Sequence, residues 1–121
     1  MTYDGSMIGK SNRFHGYNSL RFVYRNGQTV RGPLFSINYA LNSRRSQYRA
    51  AVVISRKVHK SAFVRNRIRR RLYEIIRKLS PQIDQPYDIV VTVFHATVKD
   101  EPQTNLERML KKQLSEAGIL R

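Results

Sequence analysis

The segment from Phe63 to Leu79 constrains the fold of this chain more than any other, because it sets a dense series of arginines on the hydrophobic frame of a helix. Apolar residues recur at positions i, i+4, i+7, i+8 and i+11, which are Ile68, Leu72, Ile75, Ile76 and Leu79. At about 100° of rotation per residue these side chains form one stripe that faces a core. We predict a helix that begins after a Ser61 cap and ends near Leu79, before Ser80-Pro81.

The polar side of this helix is basic. Opposite the apolar stripe fall Arg67, Arg70, Arg71, Arg77 and Lys78, and at one margin of it fall Arg65 and Arg69. Like charges one turn apart destabilise a helix by about 0.2–0.5 kcal/mol per pair, so a bound polyanion would relieve the repulsion. The pattern predicts an RNA-docking helix. A solvated face that only aids solubility is the alternative interpretation.

The positive charge is concentrated in one part of the chain. The net charge is +15, and the first 79 residues carry 18 of the 23 basic residues against only Asp4 and Glu74, a balance of +16. A surface that follows phosphates requires such concentration, and its binding should depend strongly on salt because each neutralised phosphate releases counterions.

Length and composition predict a single domain. A chain of 121 residues with 40% hydrophobic content can bury one core, and it has no cysteine for disulfides or thiolate metal sites. The N-terminus lacks the apolar core of a signal peptide, and no stretch approaches a membrane span. We expect a flexible segment at residues 1–12, a single RNA-binding domain at residues 13–121, and a cytoplasmic location.

Secondary-structure patterns alternate along the chain. Alternating or β-branched runs predict three strands, over residues 34–40, 50–55 and 87–94. The first two strands are expected to form a hairpin. Helices are predicted before, between and after the strands, the last beginning at a Thr104–Glu107 capping box. The order is αββαβα, and the fold class is α+β: a small two-layer sandwich in which helices pack on a mixed β-sheet.

A family resemblance is carried by the end of the second strand and the start of the basic helix. The motif reads Ser55-Arg56-Lys57-Val58, then Ala62-Phe63-Val64, then Arg65-Asn66-Arg67-Ile68-Arg69-Arg70-Arg71-Leu72. It resembles the signature of the protein subunit of bacterial ribonuclease P, and the spacing of the other elements extends the resemblance over roughly residues 13–118. The resemblance implies that family's α+β sandwich with a left-handed βαβ crossover, a hand that runs against the general rule.

The resemblance also implies a function. In bacterial ribonuclease P the RNA subunit, with bound Mg²⁺, hydrolyses a phosphodiester to remove the 5′ leader of precursor tRNA, and the protein assists. The implied contacts with the catalytic RNA lie at Arg56, Lys57, Lys60, Arg65, Asn66, Arg67, Arg69, Arg70 and Arg71. The implied leader cleft lies between the sheet and the first helix, where side chains can stack on unpaired bases, and its wall is formed by Leu20, Tyr24 and Phe35. Family members often carry phenylalanine at the position of Leu20, for which Phe22 or Tyr17 could substitute.

We predict no active site, catalytic residue or metal ligand in the protein itself. A metal-dependent nuclease needs converging carboxylates, and the eight acidic residues here are scattered. Magnesium is expected to be held mainly by the RNA subunit and the substrate. The expected partners are the catalytic ribonuclease P RNA and precursor tRNA, with no membrane and no DNA.

Two other classes share the size and charge of this chain. A ribosomal protein would bind structured RNA without processing it, and the specific motif counts against that interpretation. A DNA-binding architectural protein would also be basic, but the chain has no helix-turn-helix or zinc-site spacing.

Overall fold

A computed structural model of the chain describes residues 12–14 and 17–121. Its helices and strands are α1 (Tyr17–Asn26), β1 (Gln28–Arg31), β2 (Phe35–Leu41), β3 (Arg49–Val53), α2 (Ala62–Leu79), β4 (Tyr87–Val93) and α3 (Gln103–Glu116), with 3₁₀ turns at Ser80–Gln82 and Ala96–Lys99. The predicted α+β class is confirmed. Of the predicted flexible segment, residues 1–11 lie outside the described residues, whereas the Asn12 side chain donates a hydrogen bond to the Tyr48 carbonyl at 2.8 Å.

The sheet has the strand order β1-β2-β4-β3 and is mixed, as predicted. β2 pairs antiparallel with both β1 and β4, and β3 pairs parallel with β4. The predicted hairpin of the second and third elements is therefore wrong, because β4 lies between β2 and β3. The hairpin partner of β2 is instead β1, a polar four-residue strand whose sequence, Gln28–Arg31, gives no alternating apolar signal.

The parallel pair β3 and β4 is joined through α2, which makes a βαβ unit. The left-handedness of this crossover stays a prediction. β3 is an edge strand, so α2 follows directly from the edge of the sheet and begins beside it.

One face of the sheet carries the main core. The apolar stripe of α2 is buried there as predicted, with Ile68, Leu72 and Ile75 fully inaccessible. It packs with inward-facing residues of the strands and with one side of α3, among them Phe35, Ile37, Val91, Leu106 and Leu110. Burial of these side chains is the main force that holds α2 on the sheet.

The opposite face of the sheet is covered by α1. Val23 of α1 packs with Phe14, Ala51 and Val90, and Leu20 packs against the same cluster. Helices therefore lie on both faces, so the predicted two-layer arrangement is corrected to three layers. The physical reason is that β4 is buried on both sides, since Ile89, Val90 and Val91 are all inaccessible.

The two cores lie on opposite faces of the same sheet, as expected of a single domain. The assignment of residues 13–121 to one RNA-binding domain stays a prediction. No helix in the described ranges, 12–14 and 17–121, is both long and apolar enough to cross a membrane.

Candidate nucleic-acid interface

The start of α2 is fixed by a local network of hydrogen bonds. The Ser61 hydroxyl accepts from the Val64 amide at 3.3 Å, which confirms the predicted cap. The Ser61 amide donates to His59 Nδ1 at 3.1 Å, and the Arg65 guanidinium donates to the His59 carbonyl at 2.8 Å. Arg65 therefore braces the loop between β3 and α2 from within the helix, and it is half-buried.

Most of the predicted RNA contacts lie on the surface around this helix start. The exposed members are Arg56, Lys57, Lys60, Asn66, Arg67 and Arg70. Arg69 is half-buried and donates to Asn66 Oδ1 at 2.8 Å, so these two side chains hold each other in place. Together these side chains form one basic surface, which we call the α2 surface. It comprises Arg56, Lys57, Lys60, Asn66, Arg67, Arg69 and Arg70.

Arg71 differs from its neighbours because its guanidinium is used inside the protein. It donates to Gln103 Oε1 at 2.9 Å, to the Val98 carbonyl at 2.6 Å and to the Glu101 carbonyl. Burial, and after it the charge of Arg67, lower the pKa of Arg71 from its usual value. Arg71 therefore ties α2 to the segment before α3, and its geometry fits a structural role better than the predicted contact with RNA.

An open cleft of about 630 Å³ adjoins the α2 surface. It wraps around the edge strand β3, from the α1 face of the sheet to the polar side of α2. Its basic and polar lining comes from Arg13, Asn66, Arg69 and Arg70, and its apolar lining includes Phe14, Leu20, Ala51 and Val53. Cationic rims around an apolar floor can hold a phosphate backbone at the rim while bases lie on the floor.

The three predicted leader-cleft residues have different positions. Leu20 lines the cleft, and its contact with the leader stays a prediction. Tyr24, one turn later on α1, is 50% exposed but is not part of the lining. Phe35 is wrong as a base-stacking residue, because it is fully buried in the main core on the other face of the sheet. Of the two alternatives to Leu20, Phe22 packs against the cluster around Val23 on the α1 face of the sheet, and the side chain of Tyr17 lies outside the described residues.

Two cleft residues that the sequence did not single out precede α1. Arg13 bridges to Ala50 along the edge of β3, and the Phe14 amide donates to the Ala50 carbonyl at 3.2 Å. The Arg49 guanidinium lies 4.7 Å from the centre of the Phe14 ring. Two residues without periodicity give no strand signal, and the cation that meets the Phe14 ring, Arg49, lies far from it in the sequence, so no local pattern indicates this contact.

The outer edge of β3 is partly closed by a buried tyrosine of α2. The Tyr73 hydroxyl accepts from the Val52 amide at 3.2 Å. Burial raises the pKa of Tyr73 above its ordinary value. This contact fixes the floor of the cleft to α2, so that the apolar floor and the basic rim keep one geometry.

A metal site is absent from the part of the chain that the structure describes. Among those residues no group of three or more histidine, aspartate or glutamate side chains could hold an ion.

The chain is similar to one known protein family and to several of its members. A family model described as Ribonuclease P matches residues 8–118. The ribonuclease P protein component of a Pseudanabaena species is 35% identical over 115 residues, which cover 94% of this chain and 97% of that protein. That of Chloroflexus aurantiacus is 36% identical over 100 residues, covering 83% and 73% of the two chains.

Solved structures share the fold. The RNase P protein of Staphylococcus aureus aligns with a TM-score of 0.81 at 22% identity, over 93% of this chain and 100% of that one. The RNase P protein of Thermotoga maritima aligns with a TM-score of 0.72 at 21% identity, over 80% and 89%. At these identities the likeness concerns the fold alone.

Proposed function

Because the chain belongs to the ribonuclease P protein component family, we propose that its α2 surface binds the catalytic RNA and that the adjoining cleft receives the 5′ leader of precursor tRNA. Membership confirms the resemblance found in the sequence, and with it the prediction that the chain is the accessory protein of this endoribonuclease. In the proposed division of labour the RNA subunit performs the hydrolysis and the protein positions the substrate.

The observation that carries the proposal is the continuity of the cleft with the α2 surface. Asn66, Arg69 and Arg70 belong to the α2 surface and also form one wall of the cleft. A single-stranded segment in the cleft would therefore lie against the same helix that holds the catalytic RNA. This arrangement brings substrate and catalyst together without an active site in the protein.

The leader is proposed to bind with its bases toward α1 and its phosphates toward α2. Leu20, which is half-buried, supplies apolar surface on the cleft floor, and Tyr24 adds an exposed ring one turn along α1. Stacking of a base on an aromatic side chain is worth about 1–3 kcal/mol and tolerates any base. Recognition of the leader should therefore depend weakly on its sequence.

Magnesium enters the proposal through electrostatics. Two RNA molecules repel each other where the cleavage site forms, and Mg²⁺ ions must overcome that repulsion. A protein with a net charge of +15 between them reduces it. We propose that Mg²⁺ is held mainly by the RNA subunit and the substrate, and that the protein lowers the concentration at which those sites fill.

A comparison of substrate and product binding tests this function. Ribonuclease P RNA would be assayed with and without the protein at low Mg²⁺, by measuring its affinity for precursor tRNA and for mature tRNA. The expected result is that the protein raises affinity for the substrate that carries a leader much more than for mature tRNA. Tyr24→Ala should reduce this difference, whereas Leu41→Ala, a second exposed apolar residue, should not. Equal affinity for both RNAs would contradict leader binding.

A further inference from the structure

Phe63 occupies an unusual position for a large apolar side chain. It is the second residue of α2, and 78% of its surface is exposed. The other exposed large hydrophobic residues among those described are Tyr24, Leu41 and Phe94, at 50%, 53% and 43%. A ring this exposed contributes little to the core, and it is accessible to a partner outside the chain.

The neighbours of Phe63 on the helix define the chemistry of that partner. Residues three and four positions apart lie on the same side of a helix, which places Asn66 and Arg67 beside the ring and Arg70 one further turn along. Lys60 is exposed just before the Ser61 cap. An apolar ring among cations fits a polyanion that carries flat apolar groups, which is the description of RNA with an unpaired base.

This contact is distinct from the leader cleft. The cleft is lined by Asn66, Arg69 and Arg70, whereas Phe63 and Arg67 do not belong to its lining. A second copy of this chain is a poor occupant, because two chains of net charge +15 would meet at their most basic surfaces.

We propose that Phe63 stacks on an unpaired base of the ribonuclease P RNA subunit, with Arg67 on an adjacent phosphate. This inference rests on the proposed function and deepens it. The arginines supply attraction that does not depend on base geometry, and the ring selects a position in the RNA where a base is free to stack. Phe63 thereby sets the register of α2 on the RNA.

Fluorescence tests stacking directly, since the chain contains no tryptophan. A Phe63→Trp variant carries one indole at the proposed contact. Its emission should be quenched when the RNA subunit is added alone, without precursor tRNA. A Leu41→Trp variant places the indole at the opposite end of the sheet, at an exposed residue of β2, and its emission should not change. Binding without quenching of the Phe63→Trp indole would overturn the proposal.

Affinity measurements at several salt concentrations separate stacking from charge. Phe63→Ala should weaken binding of the RNA subunit by between about fivefold and about 160-fold, from the range for base stacking. The slope of log affinity against log salt should stay the same. Arg67→Ala should instead lower that slope by about 0.7–0.9, the value for one lost phosphate contact. Phe63→Tyr should retain affinity and Phe63→Leu should lose it.

The role of Phe63 and the proposed function are contradicted by different results. A Phe63→Ala or Phe63→Leu variant that binds the RNA subunit as tightly as the wild-type chain would overturn the role of Phe63 and leave the proposed function intact. A wild-type chain that does not bind the RNA subunit at all would overturn both.

Discussion

Arg71 of α2 and Gln103 at the start of α3 are joined by two hydrogen bonds that run in opposite directions. Arg71 Nε donates to Gln103 Oε1 at 2.9 Å, and Gln103 Nε2 donates to the Arg71 carbonyl at 3.2 Å. The remaining guanidinium nitrogens of Arg71 satisfy the carbonyls of Val98 and Glu101. One arginine of the basic motif thus fixes the helix that carries the others.

Replacing Arg71 by lysine should therefore affect stability more than RNA binding. Lysine keeps the charge but cannot reproduce the planar fork, so at least one of the three acceptors, Gln103 Oε1 and the carbonyls of Val98 and Glu101, loses its donor. We expect the free energy of unfolding to fall by about 1–3 kcal/mol, measured by urea denaturation. Arg67→Lys is the control, because that side chain is exposed. Equal stability of the two variants would contradict the structural role of Arg71.

A buried ion pair on the α1 face of the sheet gives a second prediction. Asp88 is fully buried, and Arg49 binds both of its carboxylate oxygens at 2.9 Å, with Asn42 donating to one of them at 2.9 Å. Asp88→Ala should cost about 3–5 kcal/mol, because it leaves the Arg49 charge without its partner. Asp84→Ala removes an exposed carboxylate 3.7 Å from Arg121 and should cost less than about 1 kcal/mol. The free energy of unfolding of both variants would be measured by urea denaturation, and similar losses for the two would contradict this account.

Gly27 makes the tight connection between α1 and β1. A Cβ atom at this position would overlap the carbonyl oxygens of Val23 and Tyr39, which belong to the backbone and cannot give way. Gly27→Ala should lower the free energy of unfolding by about 1–3 kcal/mol or more. Gly118, at φ +77° after α3, has open space around it, so Gly118→Ala carries only backbone strain of about 1 kcal/mol. In thermal unfolding, Gly27→Ala should lose more stability than Gly118→Ala, and the reverse order would contradict the packing at Gly27.

Alkaline pH should destabilise the fold through Tyr73. Its folded-state pKa is raised, chiefly by burial, so the phenol stays neutral in the folded chain after it ionises in the unfolded chain. The unfolded state then binds fewer protons, and stability falls as pH rises above the ordinary value of about 10 toward the folded-state pKa. Tyr73→Phe should show a shallower decline above about pH 10. An identical slope for the variant and the wild-type chain would count against this role of Tyr73.

The basic helix was predictable because its evidence is local. The apolar stripe from Ile68 to Leu79 has the helical period and is buried, and Ser61 caps the helix. The motif around Asn66 was sufficient to identify the family, which the comparisons confirm. The side-chain partners of Arg71 are more than 25 residues away in the chain, so no local pattern could separate it from the exposed arginines.

The sheet was less predictable because its evidence is non-local. A run such as β2 reveals that it is a strand but not which strand it pairs with, and the pairing of β2 with β4 decided the position of Phe35. Alternation gives no sign of which face of the sheet receives α1, and the leader-cleft position of Phe35 is implied only by the family resemblance, whereas Phe35 faces the main core. The predicted capping box of α3 also failed: the helix begins at Gln103 after Pro102, with no side-chain cap, where the Gln103 side chain is bonded to Arg71.

Cleavage of precursor tRNA at low Mg²⁺ by a bacterial ribonuclease P RNA, with and without this protein, tests the central claim most directly. Arg56→Ala/Arg67→Ala removes two exposed cations of the α2 surface. Arg44→Ala/Arg45→Ala removes two exposed cations from the loop at the other end of the sheet and serves as the charge-matched control. We predict stimulation by the wild-type and control proteins and its loss in the α2 variant. No stimulation with a cognate RNA, despite tight and salt-sensitive binding, would contradict the account and favour a ribosomal or general RNA-binding protein.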